Sequence, residues 1–241
     1  KRSKRSKSGR KYKYSVKPTS TRGRMGARAF GRSMPNTVLR TISVKRPVFG
    51  LSYSTKMIYA DRSFSLAPVA GNVDAHIFSA NAIYDPDISG TGHRASGFDQ
   101  MMEFYNHYIV TSSKMIVTFH NEDTTAREFV GISLLGGTTV GTYATMMEGV
   151  PGVYQELNVR NNTGDMGTLD LECDVSDFLG VKDLMSEDQV RGTVTTNPAE
   201  QVYFAVWASP IAPVTPSSAV GFTLRIEYQV TFTEPRRILT A

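Results

Sequence analysis

The sequence predicts an all-β chain: an eight-stranded antiparallel jelly roll, a two-sheet sandwich with short helices in its loops, behind a basic N-terminal arm. Three observations predict it. Several segments alternate apolar and polar residues with period two, the mark of a strand with one buried face. Gly, Thr, Val, Tyr and Phe are frequent, and long amphipathic helical stretches are scarce. The charge is also divided. Residues 1–46 hold 16 of the 27 Lys and Arg and no carboxylate, while the remaining 195 hold 11 basic and 22 acidic side chains, so the net +5 separates into +16 and −11. We therefore divide the chain into an arm, 1–46, and a shell of folded structure, 47–241, long enough for one substantial core.

The arm is rich in Lys, Arg, Ser and Gly, and like charges at this density repel, so it cannot fold alone. A chain of this kind seeks a polyanion. The candidate phosphate contacts are Lys1, Arg2, Lys4, Arg5, Lys7, Arg10, Lys11, Lys13, Lys17, Arg22, Arg24, Arg28 and Arg32. Arg and Lys neutralise phosphates and release counterions without reading bases. Tyr12, Tyr14 and Phe30 lie among them and are placed to stack on unpaired bases. Lys1–Arg5 (KRSKR) also fits a nuclear import signal, and the two roles are compatible. The start is Lys1 rather than Met, so more basic sequence is expected upstream.

In the body, weak strand signals cover 51–66 and 75–84. A helix follows, because Phe98, Met101, Met102 and Tyr105 form one stripe, with Ser96 as the expected N-cap and Asp99 three residues beyond it. Residues 107–120 place Met115, Val117 and Phe119 on one strand face. Weaker strands are expected at 127–135 and 142–147, with turns at Gly136-Gly137, Pro151-Gly152 and from Asn161 to Gly164. At 168–175, Leu169, Leu171, Cys173 and Val175 alternate with Thr168, Asp170, Glu172 and Asp174. A second short helix is expected over 175–185. Residues 201–208 (QVYFAVWA) are apolar on both faces, which fits a central strand or one whose Tyr203, Phe204 and Trp207 meet another subunit. Period two is unbroken from Phe222 to Thr233. Eight strands with connections too long for a meander predict the jelly roll.

The remaining motifs are weak. Asp85-Pro86-Asp87-Ile88-Ser89-Gly90 opens like a calcium loop, but the twelfth position is Ser96 rather than a bidentate Glu, so a turn is the better reading and no metal is expected. His76, His93, His107 and His120 lack metal-ligand spacing. Cys173 falls on the apolar phase of its strand and reads as an inert thiol; as the sole cysteine it excludes an internal disulfide and fits a reducing compartment. The Gly136–Gly141 loop lacks the Lys-Ser/Thr ending of a phosphate loop, and the Asn161-Asn162-Thr163 sequon is expected to be unused, since the basic start has no apolar stretch of a secretory signal behind it. No apolar run approaches the roughly 18 residues of a membrane span. No acid–base pair or activated nucleophile appears, so no enzyme and no cofactor is expected.

Residues 76–119 contain Tyr84-Asp85-Pro86, Gly97-Phe98-Asp99-Gln100 and Asn106-His107-Tyr108. This stretch resembles the capsid proteins of small circular single-stranded DNA viruses, the circovirus-like group. That group shows an Arg/Lys-rich N-terminus, a strand ending near a Tyr/Phe-Asp-Pro turn, a GFDQ-type helix and an NHY lead into the next strand. The resemblance is sharp over these 44 residues and architectural elsewhere. It implies a capsid protein whose copies form a small T=1 icosahedral shell around a single-stranded genome held by the arm. It further implies a nuclear assembly stage with a host import receptor, a host cell receptor, outward-facing loops such as 85–97 and 136–165, and no membrane. Two rivals remain open: an RNA-virus capsid of similar fold, since phosphates look alike to Lys and Arg, and a nuclear jelly-roll binding module with a nucleic-acid tail. An enzyme on a cupin-like barrel would need clustered His and carboxylate ligands, which the spacing does not offer.

Overall fold

Alternation decides which faces meet, and pairing decides the topology. The computed structural model describes residues 50–69, 72–211 and 219–236. The arm and all its candidate contacts lie outside these residues. Eight strands form: β1 (Ser52–Leu66), β2 (Asp74–Ser79), β3 (Tyr105–Asn121), β4 (Glu128–Leu135), β5 (Gly152–Leu157), β6 (Met166–Asp174), β7 (Tyr203–Pro210) and β8 (Val220–Pro235). They make two four-stranded sheets, ordered β1-β8-β3-β6 and β2-β7-β4-β5, and every pairing is antiparallel. Only β4 and β5 are both consecutive and paired; every other connection crosses between sheets, which is the jelly-roll path.

The core lies between the sheets. β8 buries Phe222, Leu224, Ile226, Tyr228, Val230 and Phe232 and turns Thr223, Arg225 and Gln229 to solvent. In β3 the register with β8 shifts between Val110 and Ser112, and this extra residue moves the buried set from Tyr108 and Val110 to Ser113, Met115, Val117 and Phe119. The hydroxyl of Tyr228, deep in the core, donates to the Ser79 carbonyl at 2.8 Å and so links the two sheets.

Four local expectations are corrected. The strand expected at 142–147 is absent: Thr145–Gly149 form one π-helical turn, and the eighth strand is β5. Its opening Gly152 reads as a turn signal in the sequence but serves a close approach, since a Cβ there would lie 2.6 Å from the Ile132 carbonyl oxygen. The helix after residue 97, α1 (Phe98–Met102), is one short turn, and Tyr105 already belongs to β3. Ser96 does not cap it: left-handed Gly97 (φ 84°) is the N-cap, and the Ser96 backbone N–H donates to Ile58 on β1 at 2.9 Å. The helix expected over 175–185 is shorter, α2 (Val175–Leu179). Asp174 caps it by accepting from the N–H groups of Ser176 and Asp177, and left-handed Gly180 ends it.

Residues 201–208 also resolve. β7 lies between β2 and β4, with Phe204, Val206 and Ala208 in the main core. Its other face, Ala205 and Trp207, packs with Leu135 and Met146 beneath Val140, Tyr143, Met147 and Val150. The chain's own 140–150 segment covers this face, so a neighbouring subunit is not what buries Trp207.

Candidate functional site

Binding a polyanion requires cations free of carboxylate partners, and the folded body offers few. On the outer face of the β1-β8-β3-β6 sheet, Lys56 pairs with Glu227 at 2.7 Å, Arg225 with Glu227 at 2.8 Å, and Lys114 with Asp170 and Glu172 at 2.7 and 3.1 Å. The hydrogen bonds it donates to Asp170 and Glu172 hold the Lys114 ammonium above its usual range, and the bond from Lys56 holds Glu227 below its own. These pairs are exposed and screened, so they order a surface more than they stabilise it. With that face self-neutralised, the net positive charge of the sequence is that of residues 1–46. The sixteen candidate contacts named from the sequence, from Lys1 to Arg32, all lie outside the described residues.

The calcium-like loop is used for packing. Asp87 is buried; its Oδ1 lies 2.7 Å from His76 Nε2 and accepts the Ser89 N–H at 3.0 Å. A single bridge between Phe78 and Asp87 lays this loop along the edge of β2. The Asp85 backbone is held at both ends by the Asn197 side chain, 3.2 Å each way. Burial, then the charge of Asp87, raises the Asp85 carboxyl. The Tyr59 hydroxyl is raised by burial and by Asp61 and Asp87. Asp87 thus spends its Oδ1 on His76 and on the turn, while its buried Oδ2 has no hydrogen-bond partner among the described residues. Among the described residues no group of three His, Cys, Asp or Glu is arranged to hold a metal ion.

The histidines have separate structural tasks. His76 sits among Phe64, Phe78 and Phe222. His93 Nε2 is 3.1 Å from the Ala60 carbonyl. His107 faces Glu234 at 3.5 Å and His120 faces Glu122 at 3.4 Å. The Cys173 thiol is buried, and desolvation, with the nearby Asp174 charge, pushes it up to about 12. It is therefore a thiol and not a thiolate at neutral pH. Asn161 occupies a tight turn with φ 67° and donates its N–H to Asp165 at 3.0 Å. No described helix is long and apolar enough to cross a membrane.

One buried charge was missed by the motif reading. Glu128, the first residue of β4, is fully buried, and neither carboxylate oxygen has a hydrogen-bond partner among the described residues. Desolvation, then the charge of Asp123, pushes it up to about 7. Its signal lay in the alternation: Glu128 shares the inward phase of Val130, Ile132 and Leu134.

No protein-family model matches the chain, and no curated protein matches it. Solved structures are similar to it. The structure of Mud crab tombus-like virus has 13% identity and a TM-score of 0.47, covering 83% of this chain and 98% of that one. Tobacco necrosis virus has 13% identity and a TM-score of 0.46, covering 80% and 90%. Turnip yellow mosaic virus has 15% identity and a TM-score of 0.43, covering 82% and 90%.

Proposed function

We propose that this chain is a viral capsid protein whose jelly-roll body, 47–241, self-assembles into a small icosahedral shell and whose arm, 1–46, packages a single-stranded genome. The observation that carries this reading is the division of charge: +16 on a segment that cannot fold alone, joined to a −11 body of two cross-connected sheets. A negative shell repels the genome and confines binding to the arm. The resemblance of residues 76–119 to the circovirus-like group favours circular single-stranded DNA, a T=1 shell and assembly in the host nucleus, with KRSKR as the import signal. RNA is the alternative cargo, because the electrostatics of the arm serve either polymer.

Light scattering after size exclusion, with absorbance at 260 and 280 nm, tests this on the full chain. A megadalton species carrying nucleic acid supports it, and sequencing that nucleic acid separates DNA from RNA. A monomer or trimer that binds added single-stranded DNA without assembling overturns it in favour of the binding module, and one that neither binds nor assembles overturns both.

A further inference from the structure

At one end of the sandwich three strand termini meet on Glu128. It begins β4, faces Leu157 at the end of β5, and faces Pro210 at the end of β7. Two loops close over this end, 122–127 between β3 and β4 and 158–165 between β5 and β6. The Asn121 side chain ties them by donating to the carbonyls of Ala126 and Asn158, each at 2.9 Å. Arg160 adds a backbone bond to the Asp123 carbonyl at 2.5 Å.

A buried carboxylate needs a cation or several donors to stay charged. The charges around Glu128 supply neither. The 122–127 loop brings Asp123, which is repulsive. Arg127, next in the chain, is turned to Glu156 of β5 at 2.5 Å. Asp165 on the second loop accepts from Asn161. β7 offers Pro210 and Ser209, which do not titrate. Among the described residues none gives Glu128 a hydrogen bond or an ion pair.

We propose that Glu128 is a proton-operated latch: with its carboxyl protonated, loops 122–127 and 158–165 lie closed on the end of the sandwich, and when it ionises they open to water. The direction follows from linkage. The carboxyl is raised from 4.5 to about 7 in the folded chain. Below 4.5 it is neutral folded or unfolded. Between the two values the open or unfolded chain loses its proton first, so closure weakens as pH rises, and the loss is complete above about 7. The population of the open form grows up to about tenfold per pH unit across that window. The inference does not depend on the capsid reading.

Hydrogen exchange on the full chain tests it, comparing the wild type with Glu128→Gln at matched pH so that the intrinsic pH dependence of exchange cancels. The two proteins should protect both loops alike at pH about 4. By pH about 8.5 the wild-type loops should exchange at least about tenfold faster. Asp123→Asn keeps Glu128 and removes the neighbouring charge, so Glu128 is raised less and the gain in loop exchange should level off at lower pH than in the wild type; this variant also serves if Glu128→Gln does not fold. Equal loop protection in wild type and Glu128→Gln at every pH overturns the latch. So does a difference confined to other elements, or an Asp123→Asn transition at the wild-type pH.

Discussion

Gly131 has Trp207 lying flat against it, and this contact gives the sharpest test of the outer packing. The two residues are direct partners across β4 and β7. A Cβ on Gly131 would lie 2.5 Å from two indole carbons and 2.8 Å from the indole nitrogen. Carbon atoms in contact prefer roughly 3.5–4.0 Å, so Gly131→Ala forces the ring or the strand to move by about an ångström. The ring has little room, because Leu135, Met146 and the 140–150 segment enclose it. Moving it also endangers the bond from Trp207 Nε1 to Ser133 Oγ at 3.0 Å. Overpacking costs about 1–3 kcal/mol and a neutral hydrogen bond about 0.5–1.5 kcal/mol. We expect a loss of about 2–4 kcal/mol, or roughly 4–16 °C in Tm for a body of this size. Trp207 is the sole tryptophan, so its fluorescence reports the site directly. The variant should melt earlier and show a red-shifted native emission. Replacing Trp207 by Phe in the same chain should relieve the clash, leaving the double variant more stable than the sum of the single effects predicts. A Gly131→Ala chain with unchanged emission and a loss under about 1 kcal/mol would refute the reasoning.

Two further outcomes are expected. If about ten arm charges engage a single strand, the logarithm of affinity should fall with the logarithm of salt at a slope near −7; a filter-binding titration checks this, and a flat response rules out electrostatic packaging by the arm. Asp174→Ala removes the acceptor that holds the Ser176 and Asp177 N–H groups at the start of α2. It should lower stability by about 0.5–2 kcal/mol in denaturant melts, while Asp174→Asn should retain most of it; equal losses in both would mean that charge, not capping, matters there.

The fold was legible where burial imposes a simple period. β8 and the latter half of β3 bury every second residue, β6 half-buries Leu169 and Leu171 and buries Cys173 in the same phase, and this alternation marked them. The eighth strand was misplaced because Gly152 looks like punctuation, although it is there to let two backbones approach. The 142–147 segment looked strand-like because its apolar residues are buried, but Met146 is buried under a turn that lids Trp207. Ser96 has the right chemistry for an N-cap, yet its backbone is committed to Ile58 across a tertiary contact that no local pattern announces. The division of charge is plain in the sequence, but the residues that carry the positive half lie outside the described residues. Glu128 was legible in phase but not in consequence, because its isolation depends on Asp123 and on three strand ends that come together only in the fold.

The position of β8 sets an order of events. It lies between β1 and β3, pairing Thr233 with Ser52 and Phe222 with Phe119. Nothing made earlier can take its place, so one of the two sheets has no interior strand until the ribosome has nearly finished. At about 5–20 residues per second, the basic segment is exposed on the order of ten to forty seconds before the strand that completes this sheet. The cationic end of a new chain is thus available to polyanions while its apolar strands are still unsheltered.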